Sequence, residues 1–266
     1  MERGGFILVV EGTVPTAYGG RTALLGQLNG RNISALEMVE RLGARAAHVV
    51  AAGTCASFGG PFAARPNPTA SRPLSRVLKR PVINVPGCPT NPGWLLETQE
   101  LIRQGKDLHL DAMGRPRHIY GTTIHSLCER LPRYEAGCFA EQPGDPGCTY
   151  LLGCKGPVTR ADCPERRWIE ERSGWPVGVN TPCIGCTAPE FPDGMAPFFL
   201  HTTDVYTPLG RVPLKKAGAG AARFTATAIA AHLAGQLISG RIKPLRFITK
   251  LKLARPGIKR RRLVKK

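Results

Sequence analysis

The stretch 121–157, GTTIHSLCERLPRYEAGCFAEQPGDPGCTYLLGCKGP, gathers one histidine and four cysteines. His125-x2-Cys128 followed by Cys148-x5-Cys154 supplies one imidazole and three thiolates, a complete four-ligand set. Zinc accepts such a set. So does an iron–sulfur cluster, where neutral imidazole in place of thiolate removes negative charge and raises the potential. Further along, Cys163 stands 20 residues before Cys183-x2-Cys186. Three thiolates without an evident fourth suit structural zinc poorly, because it wants four ligands. They suit a cluster short of one iron, or a zinc site completed by the preceding group. Cys55 and Cys88 each sit in a Gly-, Pro- and Thr-rich loop that closes an apolar run. Either alone reads as a buried free cysteine; the pair reads as half of a four-thiolate site. Cys138 is left over, a free thiol near the histidine-containing set.

Several metal centres in one chain point to electron transfer, because zinc carries no redox chemistry. The sequence shows no paired carboxylates and no His/Asp/Ser arrangement for hydrolysis. It has no G-x-G-x-x-G and no Walker loop. Without a phosphate cradle, a flavin is disfavoured. Disulfides are also disfavoured: they staple small secreted domains, and this chain of 266 residues is large enough to bury a core. The formal charge of +18 is concentrated at one end, for residues 241–266 hold 12 Lys or Arg and no acid. A charge run of this kind is ordinarily a solvated extension. In RIKPLRFITKLKL, however, apolar residues interleave with the charges, which suits docking on an anionic membrane surface or an acidic redox partner, at about 1 kcal/mol per basic residue near lipid. No motif beyond charge favours nucleic acid, so no nucleic-acid partner is expected. No run of about 18 apolar residues offers a membrane span.

The ligands need a scaffold. GFILVVEG, AAHVVAAGTCASFGG and RPVINVPGCPTNPG repeat one shape, an apolar run closed by a Gly-rich loop, as buried parallel strands do. Between the first two, Ile33, Leu36, Val39 and Leu42 recur at helical spacing, and GWLLETQELIRQGK follows the third. This alternation predicts an α/β fold, a flavodoxin-like doubly wound parallel sheet over residues 1–115. Cys55 and Cys88 then fall at its carboxyl rim, where such sheets bind ligands. Residues 116–204 are rich in Gly, Pro and Cys and poor in periodicity, as expected of an irregular iron–sulfur cluster domain. Residues 205–266 form a helix, with Ile229, Leu233 and Leu237 suited to close packing, and the basic tail.

The segments VVEGTVP, GTCASFGG, INVPGCPTNPGW, LDAMGRP, IHSLCER, LGCKGPVT, DCPERRW and WPVGVNTPCIGCTAPEFPD resemble, in order, the small subunit of nickel–iron hydrogenases. The resemblance implies an electron relay with three clusters. Cys55 and Cys88 match two of four ligands of a proximal 4Fe-4S cluster. His125, Cys128, Cys148 and Cys154 match a distal 4Fe-4S cluster. Cys163, Cys183 and Cys186 match a medial 3Fe-4S cluster, with Pro176 nearest the position of the absent fourth ligand. The other two proximal ligands of the family form a C-x-x-C motif upstream of VVEG. Residues before Met1 are expected to supply it, together with any twin-arginine signal. The stretch ASFGG after Cys55 has no extra cysteine, which implies the standard proximal cluster. The resemblance further implies an obligate large subunit holding nickel beside Cys55 and Cys88, with electrons passing through the proximal, medial and distal positions in turn. The acceptor is then a cytochrome b or another redox protein. The expected location is membrane-associated, periplasmic with a twin-arginine signal and otherwise cytoplasmic. Two rival readings are a zinc-stabilised, non-redox interaction protein and a complex-I-like electron-transfer subunit.

Overall fold

In the computed structural model, residues 4–168, 174–199, 204–207 and 210–240 are described. The three apolar runs become the strands Gly4–Glu11, Ala46–Ala52 and Ile83–Val85, hydrogen-bonded in that order. Both pairings are parallel, with Val9 opposite Val50 and Ala52 opposite Val85. Successive side chains of a strand point to opposite faces, and the middle strand buries both. Val49 and Ala51 join Val14, Val39 and Leu74 in one apolar cluster, while Val50 joins Val85, Trp94 and Tyr120 in another. One helix contributes to each face. Ala35–Arg45 supplies Val39 and Pro92–Arg103 supplies Trp94, so the sheet is doubly wound as the sequence predicts.

The first helix begins at Ala35 rather than Ile33, because Ser34 caps it and accepts the Glu37 N–H at 3.2 Å. Ile33 belongs instead to a hairpin, Leu24–Leu28 with Arg31–Ser34. Its turn is Asn29-Gly30, both at positive φ (53° and 74°), the combination that joins two strands in two residues. Leu42 lies outside the buried face and is exposed.

The helix Pro92–Arg103 is fastened at its start. Asn91 accepts the Gly93 N–H at 2.8 Å, and its amide nitrogen donates to the Arg167 carbonyl at 2.9 Å. Asn91→Ala should therefore cost about 1–2 kcal/mol. Asn91→Asp, which keeps the cap and loses the donor, should cost less. Thermal melts of the two variants measure the difference, at roughly 2–4 °C per kcal/mol for a domain of this size.

Among the described residues between 116 and 199 regular structure is reduced to single turns, among them Arg117–Tyr120, Ile124–Leu127, Leu131–Glu135 and Cys163–Arg166. This segment is not separate from the sheet. Ile119, Tyr120, Ile124, Ala161, Cys163, Trp175, Val177 and Cys183 share one apolar cluster with Val50, Val85 and Trp94. By internal contacts the chain divides into 1–202 and 203–266. The second unit consists of the antiparallel strands Asp204–Thr207 and Gly210–Pro213 and the helix Leu214–Ile238. Ile229, Leu233 and Leu237 are exposed along that helix. The basic tail lies outside the described residues. Among the described residues no helix is long and apolar enough to cross a membrane.

Candidate metal-cluster sites

At the carboxyl end of the middle strand the chain turns at Gly53 (φ 82°) into the short helix Gly53–Phe58, which carries Cys55. The loop after the third strand carries Cys88. Thr54 binds these loops together: its N–H donates to the Gly87 carbonyl and its hydroxyl oxygen accepts the Gly87 N–H, both at 2.9 Å. The same hydroxyl donates to the Cys186 carbonyl. Gly60 (φ 48°) passes so close to Cys55 that a Cβ there would lie 2.9 Å from the sulfur. Burial, and then the neighbouring Cys88, push the Cys55 thiol upward; burial raises Cys88. The rim thus brings two thiols together, as expected from the strand pattern. The described residues offer two of the four donors that a 4Fe-4S cluster requires.

The second set is complete. The turn Ile124–Leu127, capped by Thr123, presents His125, and Cys128 ends it. Ile124 N–H donates to the Thr159 carbonyl (2.8 Å) and His125 N–H to the Gly156 carbonyl (3.1 Å), which brings the Cys154 loop alongside. Cys148 N–H donates to the Cys138 carbonyl at 2.8 Å. His125, Cys128, Cys148 and Cys154 line one cavity of about 300 Å³, its mouth included. Cys138 is exposed and does not line it. Tyr134 meets the His125 ring edge-on at 4.7 Å. The cavity wall also holds Thr149, whose hydroxyl is buried without a partner. A buried hydroxyl costs free energy unless it is hydrogen-bonded, so the site fits a group rich in acceptors, as inorganic sulfide is.

Arg130 is the residue that sequence reading missed here. It is buried, and donates to the Gly147 carbonyl at 2.8 Å and to Asn180 Oδ1, while its own N–H lies 3.4 Å from Cys128 Sγ. Burial raises the Cys128 and Cys148 thiols, and the Arg130 charge opposes that in both. Only its position two residues after Cys128 hints at this role. Arg130→Met should weaken metal retention about 10–100-fold, the usual cost of losing a group that orients ligands. Iron release to a chelator measures it.

The third set is the most buried. Cys163 opens the turn Cys163–Arg166, and burial pushes its thiol up to about 12. Cys183 and Cys186 are raised for the same first reason. Pro176 is exposed; its carbonyl accepts the Thr181 N–H at 2.9 Å. Trp168 and Trp175 each bury an indole N–H without a partner. Lys155 N–H donates to the Cys183 carbonyl at 2.7 Å, next in sequence to Cys154. The Cys88 amide lies within reach of the Cys186 sulfur. The third set therefore touches both the rim pair and the histidine-containing set.

A doubly wound sheet continued into such a cysteine-rich segment defines a class of redox subunit, and comparison with known proteins agrees. A model of the NADH ubiquinone oxidoreductase 20 Kd subunit matches residues 1–102, and a model of the C-terminal part of the NiFe/NiFeSe hydrogenase small subunit matches residues 120–199. The quinone-reactive Ni/Fe-hydrogenase small chain of Wolinella succinogenes is 41% identical over 74% of this chain and 56% of its own length. The periplasmic [NiFeSe] hydrogenase small subunit of Desulfomicrobium baculatum is 37% identical over 74% of this chain and 67% of its own length. A crystal structure of the [NiFeSe] hydrogenase from Desulfovibrio vulgaris Hildenborough superimposes with a TM-score of 0.69 at 38% identity, covering 73% of this chain and 75% of that one. The chain belongs to the small-subunit family of nickel–iron hydrogenases. It spans between about half and two thirds of the length of these curated relatives.

Proposed function

We propose that this chain is the electron-transfer subunit of a nickel–iron hydrogenase, working beside a large subunit that activates dihydrogen. The observation that carries the reading is the continuity of the three ligand sets: Cys88 adjoins Cys186, and Cys183 adjoins the Cys154 segment. In this reading residues 1–115 form the sheet domain. Residues 116–204 form the cluster domain, and residues 205–266 the helix and tail. Cys55 and Cys88 hold part of a proximal 4Fe-4S cluster, completed by ligands outside this sequence. Cys163, Cys183 and Cys186 hold a medial 3Fe-4S cluster. His125, Cys128, Cys148 and Cys154 hold a distal 4Fe-4S cluster. Such clusters, when bound, accept and release single electrons.

The protein's own contribution is to hold these thiols in place, with Cys148, Cys163 and Cys183 buried away from water and Cys88 exposed at the sheet rim. His125, half-buried in the cavity lining, is the ligand from which electrons pass to an acceptor such as a cytochrome b or another redox protein. The relatives described as quinone-reactive and periplasmic favour a membrane-associated, periplasmic setting. The basic tail supplies attraction to anionic lipid. Co-expression with a large subunit and anaerobic purification test the reading. The expected product is a brown heterodimer containing iron and acid-labile sulfide. A colourless, zinc-bound protein that passes no electrons from dihydrogen to a dye would overturn it.

A further inference from the structure

We infer that Trp168 donates its indole N–H to the sulfur of Cys163, and so favours the reduced form of the cluster that Cys163, Cys183 and Cys186 hold. The inference rests on the medial-cluster reading of those three cysteines and adds to it a residue that sets the potential. Trp Nε1 is a donor only. In Trp168 that nitrogen is fully buried and makes no formed hydrogen bond to a nitrogen or oxygen among the described residues. Leaving a buried donor unmade costs about 1–3 kcal/mol, so an indole placed this way calls for an acceptor at the site. Its neighbour Trp94 shows the contrast, for its indole N–H is spent on Asp162 Oδ1.

The ring of Trp168 is also held in place. It meets Trp94 edge-to-face, with centroids 5.5 Å apart and planes at 77°. Its backbone N–H donates to the Gly174 carbonyl at 2.6 Å. The side chain packs against the apolar cluster that contains Cys163 and Cys183. The acceptor within reach of its side chain is the Cys163 sulfur, in the apolar cluster against which the ring packs. Asp162 itself is occupied by Trp94 and by Arg166 Nε at 2.9 Å, and so does not compete for the Trp168 donor.

When a cluster gains an electron, negative charge on its sulfurs grows. An N–H dipole fixed against a ligand sulfur is then worth more in the reduced state than in the oxidised one, and the potential rises. No bond is made or broken, and the electron is the one already passing along the relay.

The test is a redox titration of the medial cluster, followed by electron paramagnetic resonance, in the heterodimer carrying Trp168→Phe. Phenylalanine keeps an aromatic ring against Trp94 and removes the donor. The midpoint should fall by about 59 mV, a tenfold change in a one-electron equilibrium. A midpoint that is unchanged or raised, with the cluster intact, overturns the inference. Should the variant fail to hold its cluster, the native heterodimer decides. With tryptophan isotope-labelled at the indole nitrogen, pulsed resonance on the oxidised medial cluster should show coupling to that nucleus, and its absence refutes the hydrogen bond. Cys163→Ser separates the two levels. If the medial signal survives that change, the ligand reading itself fails and the role of Trp168 fails with it.

Discussion

Cys183→Ser should uncouple dihydrogen activation from electron delivery. Cys183 is buried, and its carbonyl receives the Lys155 N–H that ties its segment to that of Cys154. Its sulfur lies near those of Cys154, Cys186 and Cys163, each of which raises its pKa after burial itself. Serine keeps the size of the side chain and the backbone contact but exchanges a soft thiolate for a hard hydroxyl, a poor ligand for iron–sulfur clusters. The medial resonance signal should vanish and the iron content should drop. Dye reduction by dihydrogen should fall by roughly 100-fold or more, beyond the 10–100-fold that losing a mere orienting group costs. Isotope exchange between dihydrogen and water needs no outward electron flow and should persist in the large subunit. Cys138→Ser, at an exposed sulfur outside the cavity, should leave all of these unchanged. A Cys183→Ser heterodimer with wild-type dye reduction would sink the central position given to this cysteine.

The scaffold was legible in the sequence because its signals are local. Apolar runs closed by glycine gave three parallel strands, and helical spacing gave the helices Ala35–Arg45 and Pro92–Arg103. The hairpin at Asn29-Gly30 carried its signal too, in a dipeptide that twists correctly between strands, yet the neighbouring helical period drew Ile33 into the wrong element. The four residues around the histidine-containing cavity, His125, Cys128, Cys148 and Cys154, were legible as a set from their spacing. The supporting groups were not. Arg130 reaches Gly147 and Asn180, Thr54 reaches Gly87 and Cys186, and Trp94 reaches Asp162. Each of these contacts joins loops distant in sequence, and no periodicity encodes it. The sharing of one core by the sheet and the cysteine-rich segment was equally hidden, because an apolar residue in an irregular segment looks the same whether it packs within that segment or against the sheet.

That shared core makes Trp94 the residue whose loss should cost the most stability. Its side chain is fully buried. It sits on the helix that follows the third strand and touches Tyr120 edge-on at 5.4 Å and Trp168 at 5.5 Å, both from the segment beyond the sheet domain. Its indole N–H donates to Asp162, next in sequence to Cys163. Replacing a buried tryptophan by alanine costs about 3–5 kcal/mol, and each aromatic pair adds roughly 0.5–1.5. Against a total of about 5–15 kcal/mol for a domain, Trp94→Ala should unfold much of the population at physiological temperature or strip its medial cluster. Trp94→Phe keeps most of the volume and loses the donor to Asp162. Because Arg166 still pairs that carboxylate, its charge is not left bare, and the cost should stay near 1–3 kcal/mol. Urea unfolding of the two variants, followed at once by secondary-structure signal and by cluster absorbance, measures both. If the sheet and the cluster segment share one core, the two signals should fall together in each variant. Cluster loss from Trp94→Ala with the sheet's midpoint unmoved would show instead that the sheet stands without it.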